Sequence, residues 1–177
     1  MQRMVNKKLF MSSDLIKHCN DVKCTAEYLC RKLDIKGTDR QHLLRAAEIH
    51  DIGKYYIPNE ILNACRSLSP EERKIVDMHA LYGFIKSVEC GEDPIVSQLI
   101  LMHHGYRVTR TVLKTQGLIC DNSVLSLYPI LIASDIYNAM ISDRVYRKAC
   151  TPEVALMVVS ENEEVPKYVI DALSTYK

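Results

Sequence analysis

Apolar residues recur along most of this chain at intervals of three and four, the period of helices that bury one face. Leu15, Cys19, Val22, Ala26, Leu29 and Leu33 make one such stripe, and Leu43, Leu44, Ala46, Ala47 and Ile49 make a second. Ile75, Met78, Tyr82 and Ile85 share one face of a third helix, and Ile95, Val96, Leu99 and Ile100 lead into His103-His104. From Ser123 a strongly apolar helix runs through Leu131 and Ile132 to about Ile141, and Val165 to Leu173 forms a last one. No strand period competes and no internal repeat is visible, so the expectation is an all-α fold.

Helix punctuation sharpens these boundaries. Ser12, Ser13 and Asp14 offer N-caps to the first helix and Gly37 closes it. Thr38 with Gln41 reads as a capping box for the second, which ends at His50-Asp51 with Gly53 as its stop. Pro58 breaks the chain, leaving 59–64 at most a short helix. Ser69-Pro70-Glu71-Glu72 combines a Ser cap, Pro at the first helical position and Glu three residues after the cap. Asp93-Pro94 and Thr151-Pro152-Glu153 open further helices, while 105–122 has no convincing period. Residues 1–11 read as an N-terminal tail and 12–177 as one domain.

Composition narrows the class. With 177 residues the chain suits a single domain with a sizeable core. A net charge of +1 gives no global attraction to bulk nucleic acid or to a membrane surface. The seven cysteines are odd in number and contain no Cys-x-x-Cys pair, which argues against a disulfide framework and a thiolate zinc site. A reduced, cytoplasmic setting is expected. No run approaches the ~18 apolar residues of a membrane span, and the N-terminus lacks a signal-peptide core.

Candidate chemistry gathers on the histidines. Of the six, His18 lies beside the first stripe with Asp14 one turn earlier, and His79 borders the apolar face of its helix. His103-His104 close an apolar helix, and His50-Asp51 close another. Asp135 sits inside the most hydrophobic helix of all, where an unpaired carboxylate is costly. Each alone reads equally as a hydrogen-bonded core residue. Jointly, five imidazoles and two or three carboxylates face surfaces that must pack together, and a shared cation cluster would satisfy all of them.

The run Glu48-Ile49-His50-Asp51-Ile52-Gly53-Lys54 resembles the signature of the HD superfamily of metal-dependent phosphohydrolases. The order of the later segments, 69–83, then His103-His104, then 133–156, is similar to the HD-GYP branch, the cyclic di-GMP phosphodiesterases. The likeness covers roughly 12–160 and implies an HD-domain helical bundle. By that resemblance His18, His50, Asp51 and Asp135 are metal ligands, and His79, His103 and His104 hold a second ion, with Asp51 bridging and catalytic. Asp14 is a further candidate, supporting a third. Lys54 would contact the scissile phosphate as a catalytic and substrate-binding residue. Arg144 and Arg147 match phosphate-binding positions, although Asp143 offers an ordinary surface ion pair instead. One departure stands out: the family's His-His-Glu, followed by a Gly-rich stretch ending in Gly-Tyr-Pro, here reads His103-His104-Gly105-Tyr106-Arg107-Val108.

The implied activity is hydrolysis of a nucleotide or other phosphoester by a metal-activated water. Two divalent ions, Fe²⁺ or Mn²⁺ from the N/O ligand set, would lower the pKa of that water and clamp the phosphate. A phosphorylated small molecule or a cyclic dinucleotide is the expected partner, and surface tyrosines leave room for a homodimer. The alternatives are a cyclic di-GMP phosphodiesterase proper, or a catalytically silent HD-type signalling or binding domain.

Overall fold

The computed structural model describes residues 12–105, 121–143 and 147–176. Among these it is helical without a strand: α1 (Ser13–Lys32), α2 (Gly37–Ile49), a 3-10 helix (Ile52–Tyr56), α3 (Asn59–Leu62), α4 (Pro70–Asp77), α5 (His79–Glu89), α6 (Pro94–Met102), α7 (Asn122–Ile141), α8 (Pro152–Ser160) and α9 (Lys167–Leu173). The all-α expectation therefore holds. The tail 1–11 and the segment around Tyr106, Arg107 and Val108 lie outside the described residues, as does Arg144.

Most caps fall where the sequence puts them. Ser12 accepts from the backbone N–H of Leu15, Asp93 from Ile95 and Thr151 from Val154. The capping box of α4 is complete: Glu72 N–H donates to Ser69 Oγ at 3.2 Å and Ser69 N–H to Glu72 Oε2 at 2.9 Å. The junction between α1 and α2 differs from expectation. Asp34, not Gly37, ends α1 in the left-handed region at φ 57°, and Ile35 N–H closes on Cys30 O at 2.9 Å. That is a Schellman closure. Gly37, at φ 61°, is the first residue of α2, whose cap Lys36 makes no side-chain bond, so the Thr38–Gln41 box does not form.

The third stripe is also reassigned. The run from Pro70 breaks at Met78 into two helices, and Ile75, Met78 and Ile85 are exposed. The buried face of α5 is instead His79, Ala80, Gly83 and Ser87. Small and polar residues won this face because α5 packs against backbone, leaving no depth for large side chains.

At the centre, α7 packs against α1, α2, α6 and α8, and α1 also lies along α2. Leu29, Leu43, Leu99, Ile100, Leu127, Leu131 and Ile132 are fully or almost fully buried between them. By length and composition α7 is apolar enough to cross a membrane. In this fold its apolarity is spent on the bundle, where a core helix is surrounded on most sides. One buried hydrogen bond fixes the register of α1 on α7: Asn138 Nδ2 donates to Thr25 Oγ1 at 2.8 Å and to Ser134 O at 2.7 Å. His18 lies two turns from Thr25, and Asp135 one turn from Asn138, so this bond also sets how they meet.

Gly53 is not a helix stop. Its φ is not positive, and a methyl group there would overlap the carbonyl oxygen of His79 and stand 2.6 Å from Gly83 N. A methyl on Gly83 would in turn lie 2.9 Å from Ile100 Cγ2 and 3.5 Å from His50 O. Gly53 thus lets the turn after His50-Asp51 rest directly on the start of α5, and Gly83 leaves room for Ile100. Gly53→Ala is expected to destabilise the fold by about 1–3 kcal/mol through overpacking and to weaken metal retention. Denaturant melts and metal analysis measure both, and a variant equal to wild type in each would refute the close-approach assignment.

Candidate metal centre

Three buried histidines of the site are oriented by helix ends. His50 follows α2, His79 begins α5 and His103 follows α6. In all three the ring Nδ1 meets the carbonyl three residues back: Ala47 O at 2.9 Å, Val76 O at 2.5 Å and Ile100 O at 2.6 Å. A carbonyl only accepts, so Nδ1 carries a proton and, in the neutral ring, Nε2 presents a lone pair. The helix ends thereby supply the backbone partner that metal-binding histidines need for orientation.

These Nε2 atoms point at one another. His79 Nε2 is 3.0 Å from His103 Nε2 and 3.0 Å from His104 Nε2. His104 stands at the exposed edge of the cluster with that nitrogen turned inward. His79 Nε2 is also 3.1 Å from Asp51 Oδ1, so acceptor faces acceptor. On the other side, His18 Nε2 is 2.9 Å from Asp135 Oδ1, and His50 Nε2 lies 3.5 Å from Asp51 Oδ2 and 3.7 Å from Asp135 Oδ1. His50 is fully buried and its Nε2 makes no hydrogen bond. Such groups are costly to bury unmatched. A cation between them removes the cost.

Asp51 stands between the two groups, 1% exposed. Oδ1 faces His79 and, at 4.0 Å, His103, while Oδ2 faces His50 and, at 3.8 Å, His18. The Lys54 ammonium donates to Oδ2 at 2.6 Å. Burial works to raise the pKa of Asp51, but Lys54, His50 and His79 hold it well below the usual carboxylate value. Burial acts likewise on Asp135, and its contacts with His18 and His50 prevail. For His103, burial and then His104 and His79 push the pKa well down. For His104, burial and then His79 also lower it. His50 goes the other way: burial opposes its protonation, but Asp51, Cys19 and Asp135 outweigh burial and keep its pKa well above the ordinary value.

Five of the six histidines, with Asp51 and Asp135, are therefore brought together. His42 is elsewhere, 3.5 Å from Asp93. Among the described residues, three side-chain sets have ligand atoms mutually within 4.8 Å: His79, His103 and His104; His18, His50 and Asp135; and Cys19, His50 and Asp51. Asp14 is exposed one turn before His18, outside these sets. Arg147 turns its guanidinium to Ala139 O at 2.5 Å and Met140 O at 3.1 Å, capping the end of α7. Sequence reasoning missed Cys19, whose neighbour His18 drew the attention.

A helical bundle carrying His, then His-Asp, then Asp on separate helices around a buried polar centre defines a class of metal-binding α-domain. Residues 15–159 match the HD domain family model, and the chain belongs to that family. It is 29% identical over 151 residues, 82% of its length, to the 3'3'-cGAMP-specific phosphodiesterase 3 of Vibrio cholerae, covering 31% of that protein. It is 27% identical over 133 residues, 75% of its length, to a cyclic di-GMP phosphodiesterase of Pseudomonas aeruginosa, covering 32% of it. The chain thus spans about a third of the length of these curated relatives. The HD domain of the L. monocytogenes phosphodiesterase PgpH, solved with cyclic-di-AMP, superposes with a TM-score of 0.68 at 17% identity, over 97% of this chain and 93% of that one. At that identity the likeness is one of fold.

Metal binding and protonation are linked here with a definite sign. Ligand nitrogens must be bare, and His50, with its raised pKa, is the imidazole that holds a competing proton at neutral pH. Loading metal-free protein with Mn²⁺ near neutrality is expected to release about one proton or more per chain. Affinity should fall as the pH drops. Calorimetry in buffers of differing ionisation enthalpy reads the release, and binding without any would contradict the assigned protonation.

Proposed function

We propose that this chain is a metal-dependent phosphodiesterase acting on a cyclic dinucleotide. The observation that carries the reading is the set of imidazole Nε2 atoms converging on both oxygens of Asp51. His18, His50 and Asp135 would hold one divalent ion, His79, His103 and His104 a second, and Asp51 would bridge them. Fe²⁺ or Mn²⁺ suits these nitrogens and oxygens, and Asp14 is the candidate to support a third ion. When bound, such a pair supplies a hydroxide-like nucleophile at neutral pH and charge relief on the phosphoryl oxygens.

The chain's own residues do the rest. Asp51 and Asp135, held ionised, keep the ligand set negative enough to retain cations. His103 and His104, held neutral, keep their nitrogens bare. The Lys54 ammonium, at the rim of the site beside Asp51, is placed to stabilise charge developing on the scissile phosphate. Arg147 would bind substrate phosphate only by leaving the α7 carbonyls, and Arg144 is proposed for that role on the resemblance alone. The curated relatives named above act on cyclic dinucleotides, which supports the substrate class.

The test is a panel of cyclic di-GMP, 3'3'-cGAMP, cyclic di-AMP and bis(p-nitrophenyl) phosphate with Mn²⁺- or Fe²⁺-loaded protein. Turnover of at least one cyclic dinucleotide to its linear form is expected. Lys54→Met should lower kcat roughly 10²–10³-fold with metal content intact, whereas Asp51→Asn should lose metal and activity together. Stoichiometric metal with no turnover of any phosphodiester would replace this reading with a silent binding domain.

A further inference from the structure

The cation site described above is assembled from nitrogens and oxygens, but a sulfur atom stands inside it. Cys19 is completely buried on α1, one residue after His18. Adjacent helical positions differ by about 100°, so both reach a common partner only when it sits on the bisector of the buried face. Asp51 is that partner: its Oδ2 lies 3.8 Å from His18 Nε2, and one of its oxygens falls within 4.8 Å of Cys19 Sγ. A nitrogen of His50 is inside the same 4.8 Å radius, and this imidazole has the buried Nε2 without a hydrogen-bond partner. Ligand atoms around one first-row ion stand roughly 3–4.4 Å apart, given bonds near 2.0–2.3 Å. Cys19, His50 and Asp51 therefore need to close by only a fraction of an ångström to share one.

We infer that Cys19 is a thiolate ligand of the ion at His50 and Asp51, and that this half of the site consequently favours softer first-row ions over Mg²⁺ and Mn²⁺. The inference rests on the metal-centre reading above and deepens it. Imidazole and carboxylate alone discriminate weakly along the first-row series, whereas one thiolate shifts preference toward Fe²⁺, Co²⁺ and Zn²⁺. Cys30, which shares the buried face of α1 about three turns away, offers an internal comparison. It is not in any of the three ligand sets, and burial, then Glu27, raise its thiol to about 11, so it stays a protonated core residue.

Cobalt substitution reads sulfur ligation directly. Metal-free wild-type protein loaded with Co²⁺ should show a thiolate-to-cobalt charge-transfer band. Cys19→Ser should still bind Co²⁺ through the remaining ligands but lose the band, and Cys30→Ser should keep it. In competition, the Co²⁺ over Mn²⁺ preference should fall roughly tenfold or more in Cys19→Ser. Cadmium NMR of the wild-type protein, whose shift reports coordinated sulfur, gives the same answer without a variant if Cys19→Ser does not fold. Co²⁺ bound stoichiometrically by wild type with no thiolate band, or a band that survives Cys19→Ser, overturns the inference and leaves the phosphodiesterase reading standing. Failure of wild type to bind Co²⁺, Mn²⁺ or Fe²⁺ at all would overturn both.

Discussion

Lone pairs facing lone pairs set the terms of this interior. Three helix ends each fix an imidazole proton on the outer nitrogen by a bond to backbone, so in the neutral rings the inner nitrogens have nothing to donate. Placed about 3 Å apart around a carboxylate, they form an arrangement that repels itself unless positive charge enters. Lys54 answers part of that demand on one oxygen of Asp51. Folding energy from the surrounding Leu and Ile residues must hold the remainder in place, since hydrophobic burial is the one large favourable term available.

That division of labour explains how the elements are spent. The core helices α1, α2, α6 and α7 carry the large apolar side chains and also deliver His18, His50, His103 and Asp135 from the edge of the same packed faces. Thr25 and Asn138 place a single polar bond in that core, two turns from His18, where a slip of α1 along α7 would otherwise cost little. Hydrophobic contacts are non-directional, whereas a buried hydrogen bond admits one register. The site's precision on the α1–α7 side therefore comes from a pair of residues that touch no ligand.

Much of this was legible in the sequence, for physical reasons. Helix starts announce themselves through local bonds, as Ser69, Asp93 and Thr151 show, because a cap depends only on residues three positions away. The convergence of His18, His50, His79, His103, His104 and Asp135 was readable because ionisable groups on apolar faces demand a shared solution. What failed depended on neighbours far along the chain. The stripe of Ile75, Met78 and Ile85 has the right period but no partner helix among the described residues, while Gly83 faces a side chain and backbone that periodicity cannot see. Gly53 likewise looked like a helix stop, since a glycine after a helix usually is one.

The Gly53–Gly83 contact deserves its place beside the ligands, because it decides whether the two halves of the centre meet. His50 and Asp51 arrive from α2, and His79 from α5, with the 3-10 helix as the only covalent element leaving the first pair. For Asp51 Oδ1 to lie 3.1 Å from His79 Nε2, the turn must sit on the first residues of α5 at backbone distance. A side chain at position 53 would wedge these surfaces apart, because its first carbon already overlaps the main chain of α5. Even a fraction of that displacement exceeds the ~0.2 Å tolerance of a metal–ligand bond, so His79 and Asp51 would no longer present their atoms to a common ion. The glycines thus act at the level of geometry alone, and the chemistry of the centre is a consequence of how closely two stretches of main chain are allowed to approach.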